Sequence, residues 1–271
     1  MAVLAAIINF WDGGELLPAA VANWWRCGVD RVIIIYSDTS NYGEYLDNTK
    51  FLKQPAFERC DIIKCEPEGY AAVQKETQKR NRGLQVAITL GVTHFVTADC
   101  DEFYDPEHFQ REYKRLDGSI SGLVCASRVY FKSPTLCAGL DVTLVPFIHR
   151  LDGWLMHRFN RDYPFAFAGN SIKIDPSRQL NITSGVIWSD IIMEHFSWVR
   201  DDIERKIRNS SARVNIERSD VREEFRIAEA GYFLKFYKRT LYTVEDKYGI
   251  LEQNLRTSHG AVPSGDTCHK S

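Results

Sequence analysis

Residues 93–104, Thr-His-Phe-Val-Thr-Ala-Asp-Cys-Asp-Glu-Phe-Tyr, constrain the fold more than any other stretch of the chain. A short, mostly apolar run suited to a buried strand passes directly into Asp99, Asp101 and Glu102. A strand that ends this way delivers carboxylates to the rim of a sheet, where open α/β folds bind ligands. If extended backbone continues through Cys100, Asp99 and Asp101 point to one side, because side chains alternate with period two. Two carboxylates on one side can hold a hard divalent cation, and such a cation neutralises a diphosphate. Acidic pairs alone are common in solvated turns and caps; Asp201 and Asp202 read as the opening of a charged helix. Position at a strand end is what distinguishes Asp99 and Asp101.

The preceding residues alternate between strand and helix patterns. Residues 2–9 suit a strand, 15–27 a helix stopped by Gly28, and 31–36 a strand built on the run Val-Ile-Ile-Ile. A short helix is predicted over 45–52, a third strand over 61–65, a long helix over 70–90 closed by Gly91, and the fourth strand over 93–98. This order argues for right-handed crossovers and a mainly parallel sheet. After a helix over 106–116 the character changes to strands, at 121–131, 143–150, 154–159, 165–174 and 186–196, joined by turns such as Asp117-Gly118 and Asp152-Gly153. Charged helical patterns cover 199–217 and 220–237, and 258–271 has the composition of a disordered tail. The expected fold is α/β: one domain over 1–257 with a mainly parallel central sheet, helices on both faces and an antiparallel C-terminal extension. Residues 1–110 form its ligand-binding half and 111–257 an acceptor-side half.

A chain of 271 residues can bury a sizeable core, and 44% hydrophobic with 26% charged residues is the composition of an ordinary globular protein. A net charge of −2 gives no general attraction to nucleic acid or to an acidic membrane surface. The seven cysteines, 27, 60, 65, 100, 125, 137 and 268, lack paired zinc-type spacings and suit small buried hydrophobes in a reducing, cytoplasmic setting. The N-terminal segment has no basic region and reads as a strand, and no apolar run is long enough to span a bilayer.

Several segments together resemble the GT-A glycosyltransferases, particularly the family-2-like group. Residues 15–30, Glu-Leu-Leu-Pro-Ala-Ala-Val-Ala-Asn-Trp-Trp-Arg-Cys-Gly-Val-Asp, look like that group's first helix and turn. Tyr36-Ser37-Asp38-Thr39-Ser40 stands where the group has an acidic or amide-bearing loop, although many relatives carry an acid at the position of Ser37. Residues 78–83, Gln-Lys-Arg-Asn-Arg-Gly, with Ala87 and Gly91, are similar to the helix before the metal motif. Asp99-Cys100-Asp101-Glu102-Phe103 matches the motif's Asp-x-Asp-Glu-Phe form, and Glu194-His195-Phe196 extends the match beyond the first 110 residues.

The resemblance implies a metal-dependent glycosyltransferase that moves a sugar from a UDP- or GDP-type donor to a glycan or other hydroxyl acceptor, with inversion. It implies Mn²⁺ or Mg²⁺ at Asp101, with Asp99 on the ribose or on the ion, and His195 closing the metal site. The loop from Asn9 to Asp12 would floor the nucleotide and Asp38 would lie near the base. Arg80 and Arg82 would face the diphosphate, or form a solvated face with Lys75, Glu76 and Lys79. Asp38 can equally make an Asx-turn, and His195 can equally be a hydrogen-bonded core histidine. The acceptor proton needs a carboxylate base, for which Asp190, Glu194 and Asp162 are the candidates, Asp190 foremost. Aromatic side chains at 154, 159, 163, 165 and 167 could stack on an acceptor sugar or simply pack. Two other readings stand beside this one. A nucleotidyltransferase would carry a Gly-rich, basic loop after the first strand, whereas Phe10-Trp11-Asp12-Gly13-Gly14 has no base; a non-catalytic glycan- or partner-binding relative would have no need of Asp99, Asp101 and His195.

Overall fold

A computed structural model describes residues 2–69, 71–116, 119–141, 143–158, 173–175, 177–182, 184–210, 213, 216 and 220–251. The expected α/β architecture is borne out. Strands β1 (Leu4–Phe10), β2 (Arg31–Tyr36), β3 (Asp61–Lys64) and β4 (His94–Asp99) lie side by side in the order β3-β2-β1-β4, all parallel. Register sets Asn9 beside Asp99 and Phe10 beside Tyr36, so the carboxyl ends of the strands form one edge.

Helices cover both faces. From β1, Ala6 and Ile8 join one core cluster with Leu17, Val21 and Trp24 of α1 (Leu17–Arg26). The alternate residues Ala5 and Ile7 join a second with Leu84 and Ala87 of α3 (Ala72–Thr89), α2 being the short helix Asn48–Phe51. Each large apolar side chain so buried stabilises the fold by roughly 1.5–3 kcal/mol. Gly83 lets α3 close on the sheet, since a Cβ there would lie 2.4 Å from Ile7 Cγ2 and 3.2 Å from Ile35 Cγ1.

Beyond β4 the sheet turns antiparallel, through β8 (Thr143–Arg150), β6 (Gly122–Phe131) and β7 (Leu136–Leu140). Strand β10 (Val186–Trp198) runs parallel to β6, irregular after Trp188 and again after His195. It also pairs antiparallel with the two-residue β5 (Glu102–Phe103), setting His195 opposite Glu102. Phe196 N–H then donates to Asp101 O at 2.8 Å, which ties the end of β10 to the acidic segment.

Several expected elements differ. Residues 154–158 form a turn and an isolated His157–Leu180 bridge, because the Asn81 side chain satisfies the backbone of His157, accepting from N–H at 2.7 Å and donating to O at 3.2 Å. Of the strand predicted over 165–174 only Lys173–Ile174 (β9) is described, parallel to β8; 159–172 and the 258–271 tail lie outside the described residues. Strand β7 escapes the sequence reading because Ser133-Pro134 and Gly139 interrupt its pattern. The pattern over 220–237 divides into a helix, Val221–Ile227, and a small hairpin of Phe233–Leu234 with Arg239–Thr240, separated by Gly231 at φ +88°. The pattern from 199 begins as α5 (Ile203–Asn209), where Asp202 accepts from Arg205 N–H at 2.8 Å, while α4 is Pro106–Tyr113.

Candidate functional site

A cleft of about 270 Å³ opens at the carboxyl edge of β1 and β4. Asn9 lies near the end of β1 with Trp11 and Asp12 just after it, Asp99 ends β4 with Asp101 just after it, and His195 and Ser197 come from β10. Helix α3 supplies Glu76, Lys79 and Arg80, the β9–β10 connection Asp175 and Arg178, and the segment after β10 Arg200 and Lys206. Asn9, Asp12, Asp99, Asp101 and His195 are therefore brought together as the sequence predicted.

Both aspartates are enclosed by cations. Arg80 donates from Nη2 to Asp99 Oδ1 at 3.1 Å, and Arg178 donates from Nη2 to Asp99 Oδ2 at 2.7 Å. Burial acts to raise the Asp99 carboxyl, but Arg80 and Arg178 outweigh it and hold the group below the usual carboxylate range. Asp101 is likewise raised by burial and lowered further by Arg200, Lys206 and His195, ending well below that range. Arg200 donates to Asp101 Oδ2, and Lys206 Nζ stands 3.6 Å from the same oxygen. Gly13, at φ +94°, makes room for this guanidinium: a Cβ there would lie 2.2 Å from Arg200 Nη1. Glu102 is fully buried behind the pair; burial pushes its carboxyl up to about 7, partly offset by Arg178, which donates to Oε2 at 2.8 Å from Nη1.

Within the cleft, the described residues fit a divalent cation at one point. Asp101 Oδ1 is buried without a hydrogen-bond partner among the described residues and faces His195 Nε2 at 3.7 Å. Burial lowers the His195 pKa even though Asp101 acts in the opposite sense, which favours the neutral ring whose lone pair a metal needs. Asp101, Glu102 and His195 offer ligand atoms within 4.8 Å of one another, though Glu102 is already bonded to Arg178.

Other predicted site residues lie elsewhere. Asp190 is highly exposed and accepts from His108 Nε2 at 2.8 Å, away from the cleft, and it lies in the irregular stretch of β10 between Trp188 and Ile192. Glu194 faces opposite His195, as strand alternation requires, and is engaged by Arg128 at 3.0 Å and Tyr130 Oη at 3.1 Å. Asp38 is buried, but its carboxylate accepts from Lys64 Nζ at 2.6 Å and from Thr49 N at 3.0 Å, so it fastens the loop after β2 to α2. Arg82 is exposed, and it is Arg80, with Lys79, that turns inward. Asp162 lies outside the described residues, as do the aromatic positions 159, 163, 165 and 167, and Trp154 is exposed.

Sequence reasoning missed Arg178, Arg200 and Lys206, and it put Lys79 on a solvated face. A signal did exist for Lys79 and Arg80: with Glu76, Gly83 and Ala87 they recur at i, i+3 and i+4, and the small residues mark the side that meets the sheet. No local signal marks the other three.

No protein-family model matches the chain, and no curated protein matches it. Solved structures with a partly similar arrangement include a 4-diphosphocytidyl-2C-methyl-D-erythritol synthase, at TM-score 0.36 and 14% identity over 49% of this chain and 64% of that one. S. aureus TarS 1-349 in complex with UDP aligns at TM-score 0.34 and 11% identity, over 48% of this chain and 36% of that one. The mannosyltransferase PcManGT from Pyrobaculum calidifontis, in complex with GDP-Man and Mn²⁺, aligns at 0.32 and 12%, over 48% and 36%. The chain thus spans between about a third and two thirds of these structures' lengths. Among the described residues, no helix is long and apolar enough to cross a membrane.

Proposed function

We propose that this chain is a nucleotide-sugar-dependent glycosyltransferase that transfers a hexosyl or related unit to a hydroxyl acceptor with inversion. The observation that carries this reading is the cleft at the carboxyl edge of β1 and β4. It combines a carboxylate oxygen that has no hydrogen-bond partner among the described residues and faces an imidazole with a ring of guanidinium and ammonium groups. A nucleoside diphosphate presents the complementary chemistry, oxygens for the cations and a developing negative charge when the sugar departs.

Asp101 and His195 would hold Mn²⁺ or Mg²⁺ with Asp99 beside them, and the bound ion would supply Lewis-acid stabilisation of the departing diphosphate. Asn9 and Trp11 border the nucleotide, with Asn9 Oδ1 lacking a hydrogen-bond partner among the described residues. Arg178 fixes Asp99 and Glu102 in place, since one planar fork bonds both carboxylates. Among the described residues Asp190 and Glu194 do not border the cleft, so removal of the acceptor proton falls to a carboxylate that does, Asp12, Glu76 or Asp175.

The test is binding of UDP and GDP by calorimetry, followed by transfer from the sugars of whichever nucleotide binds, in wild type and Asp101→Ala. Transfer that disappears in Asp101→Ala supports the reading. Release of pyrophosphate from a nucleoside triphosphate would instead identify a nucleotidyltransferase, and no binding of any nucleotide would leave a non-catalytic relative. Asp12→Asn, Glu76→Gln and Asp175→Asn then identify the base: it is the one whose loss slows transfer while nucleotide affinity holds.

A further inference from the structure

The unmet hydrogen-bonding capacity of the cleft is mostly on the donor side. Nε and Nη1 of Arg80, and Nε and Nη1 of Arg200, are buried with no hydrogen-bond partner among the described residues. Lys79 is buried as well, its Nζ donating to Ser37 Oγ at 3.4 Å. Against these donors, the buried acceptors bordering the cleft with no partner among the described residues are Asn9 Oδ1 and Asp101 Oδ1. Buried donors without partners are costly, and a charged guanidinium more so, so such a group marks a place where a ligand completes the bonding.

The two aspartates are also largely committed. Asp99 is bonded through both oxygens, to Arg80 and Arg178, and Asp101 Oδ2 is shared by Arg200 and Lys206. An Asp-x-Asp motif whose main task is to bind an ion would leave its oxygens open to it. Here the carboxylates chiefly position cations. Arg80 is held by Asp99 and Arg200 by Asp101, each with Nε and Nη1 lacking a hydrogen-bond partner among the described residues. A metal ion satisfies acceptors only, whereas a phosphate satisfies donors.

On the reading that this cleft takes a nucleoside diphosphate, we infer that Arg80, Arg200, Lys79 and Lys206 bind the diphosphate directly, so that the phosphates are held without a bridging metal. The aspartates orient the cage, and one oxygen, Asp101 Oδ1, is left for an ion that would act on transfer rather than on binding. Planar guanidinium groups suit this task because two N–H groups of one fork can meet two phosphate oxygens.

The experiment measures inorganic pyrophosphate binding by calorimetry in metal-stripped buffer and again with Mn²⁺, then UDP and GDP under both conditions. Pyrophosphate isolates the phosphate cage from contacts to the nucleoside. Pyrophosphate binding without metal, changed less than tenfold by Mn²⁺, supports the cage. Arg200→Lys should weaken it at least tenfold; because Arg200 is buried, folding of that variant is checked by circular dichroism. Lys206→Gln, at a partly exposed position, is the second variant, and severalfold weaker metal-free binding is expected. Nucleotide and pyrophosphate binding that appears only with Mn²⁺ overturns the direct cage while leaving the proposed transferase standing. Metal-free affinity unchanged in both variants overturns it as well, and absence of binding under either condition overturns both readings.

Discussion

Arg178 donates from Nη2 to Asp99 Oδ2 at 2.7 Å across 79 residues of sequence, and the same guanidinium engages the fully buried Glu102. This fork is the main support of the acidic segment that follows β4. Replacing it by Met would leave Glu102 buried beside no cation, and the loss of one partner of a buried pair costs about 3–5 kcal/mol. Urea unfolding of Arg178→Met should show a loss of that size. A loss below about 1 kcal/mol would mean that Glu102 is satisfied by other groups.

Asp190→Asn should behave as a surface change. Its carboxylate meets His108 in the open, and such substitutions move stability by no more than about 0.5 kcal/mol. Nucleotide affinity and any transfer rate should match wild type. A transfer rate reduced a hundredfold with unchanged affinity would return Asp190 to the catalytic machinery.

Stability should depend on acid through Asp99 and Asp101. Both carboxyls are held below the usual range when folded, because Arg80, Arg178, Arg200 and Lys206 outweigh the effect of burial. Such groups contribute stability that is fully present above their unfolded pKa, near about 3.9, and is lost as pH falls toward the folded value. Thermal midpoints should therefore decline below about pH 4. Asp101→Asn should be less stable than wild type at pH 7, and the difference should narrow steadily on acidification. A gap that stays constant from neutral to acid pH would count against this linkage.

Gly83→Ala should destabilise the protein by about 1–3 kcal/mol, because the new methyl has no space beside Ile7 and Ile35. Since α3 carries Lys79 and Arg80, the displaced helix should also bind nucleotide more weakly. Ile7→Ala in the same chain removes the Cγ2 methyl nearest the new Cβ, so the double variant should be less destabilised than the sum of the two single losses. Full additivity of the two substitutions would argue that they do not meet.

His195→Ala should weaken Mn²⁺ binding by at least about tenfold, read by electron paramagnetic resonance with no nucleotide present. Glu194→Gln, one residue away but facing Arg128 and Tyr130, should leave Mn²⁺ affinity unchanged. Equal effects of the two would mean that β10 responds as a whole and His195 is not a ligand.

The sequence by itself determined the parallel half of the sheet and the place of its acidic edge. The Val-Ile-Ile-Ile run, the helices closed by Gly28 and Gly91, and the apolar strand running into Asp99 are local patterns, and local sterics fix what they become. The ends of the apolar runs set Asn9 and Asp99 at the strand ends, and alternation put Glu194 and His195 on opposite faces. Only the tertiary structure decided what surrounds those carboxylates. Arg178 and Arg200 arrive from connections whose composition looks solvated, Lys206 from a charged helix, and their burial depends on how β10 bends after Trp188 and reaches β5. The period of a strand or helix says which way a side chain points within its own element. Which element stands opposite is set by long-range strand pairing and close packing, and that relation turned Arg80 inward, left Arg82 in solvent and carried Asp190 away from the cleft.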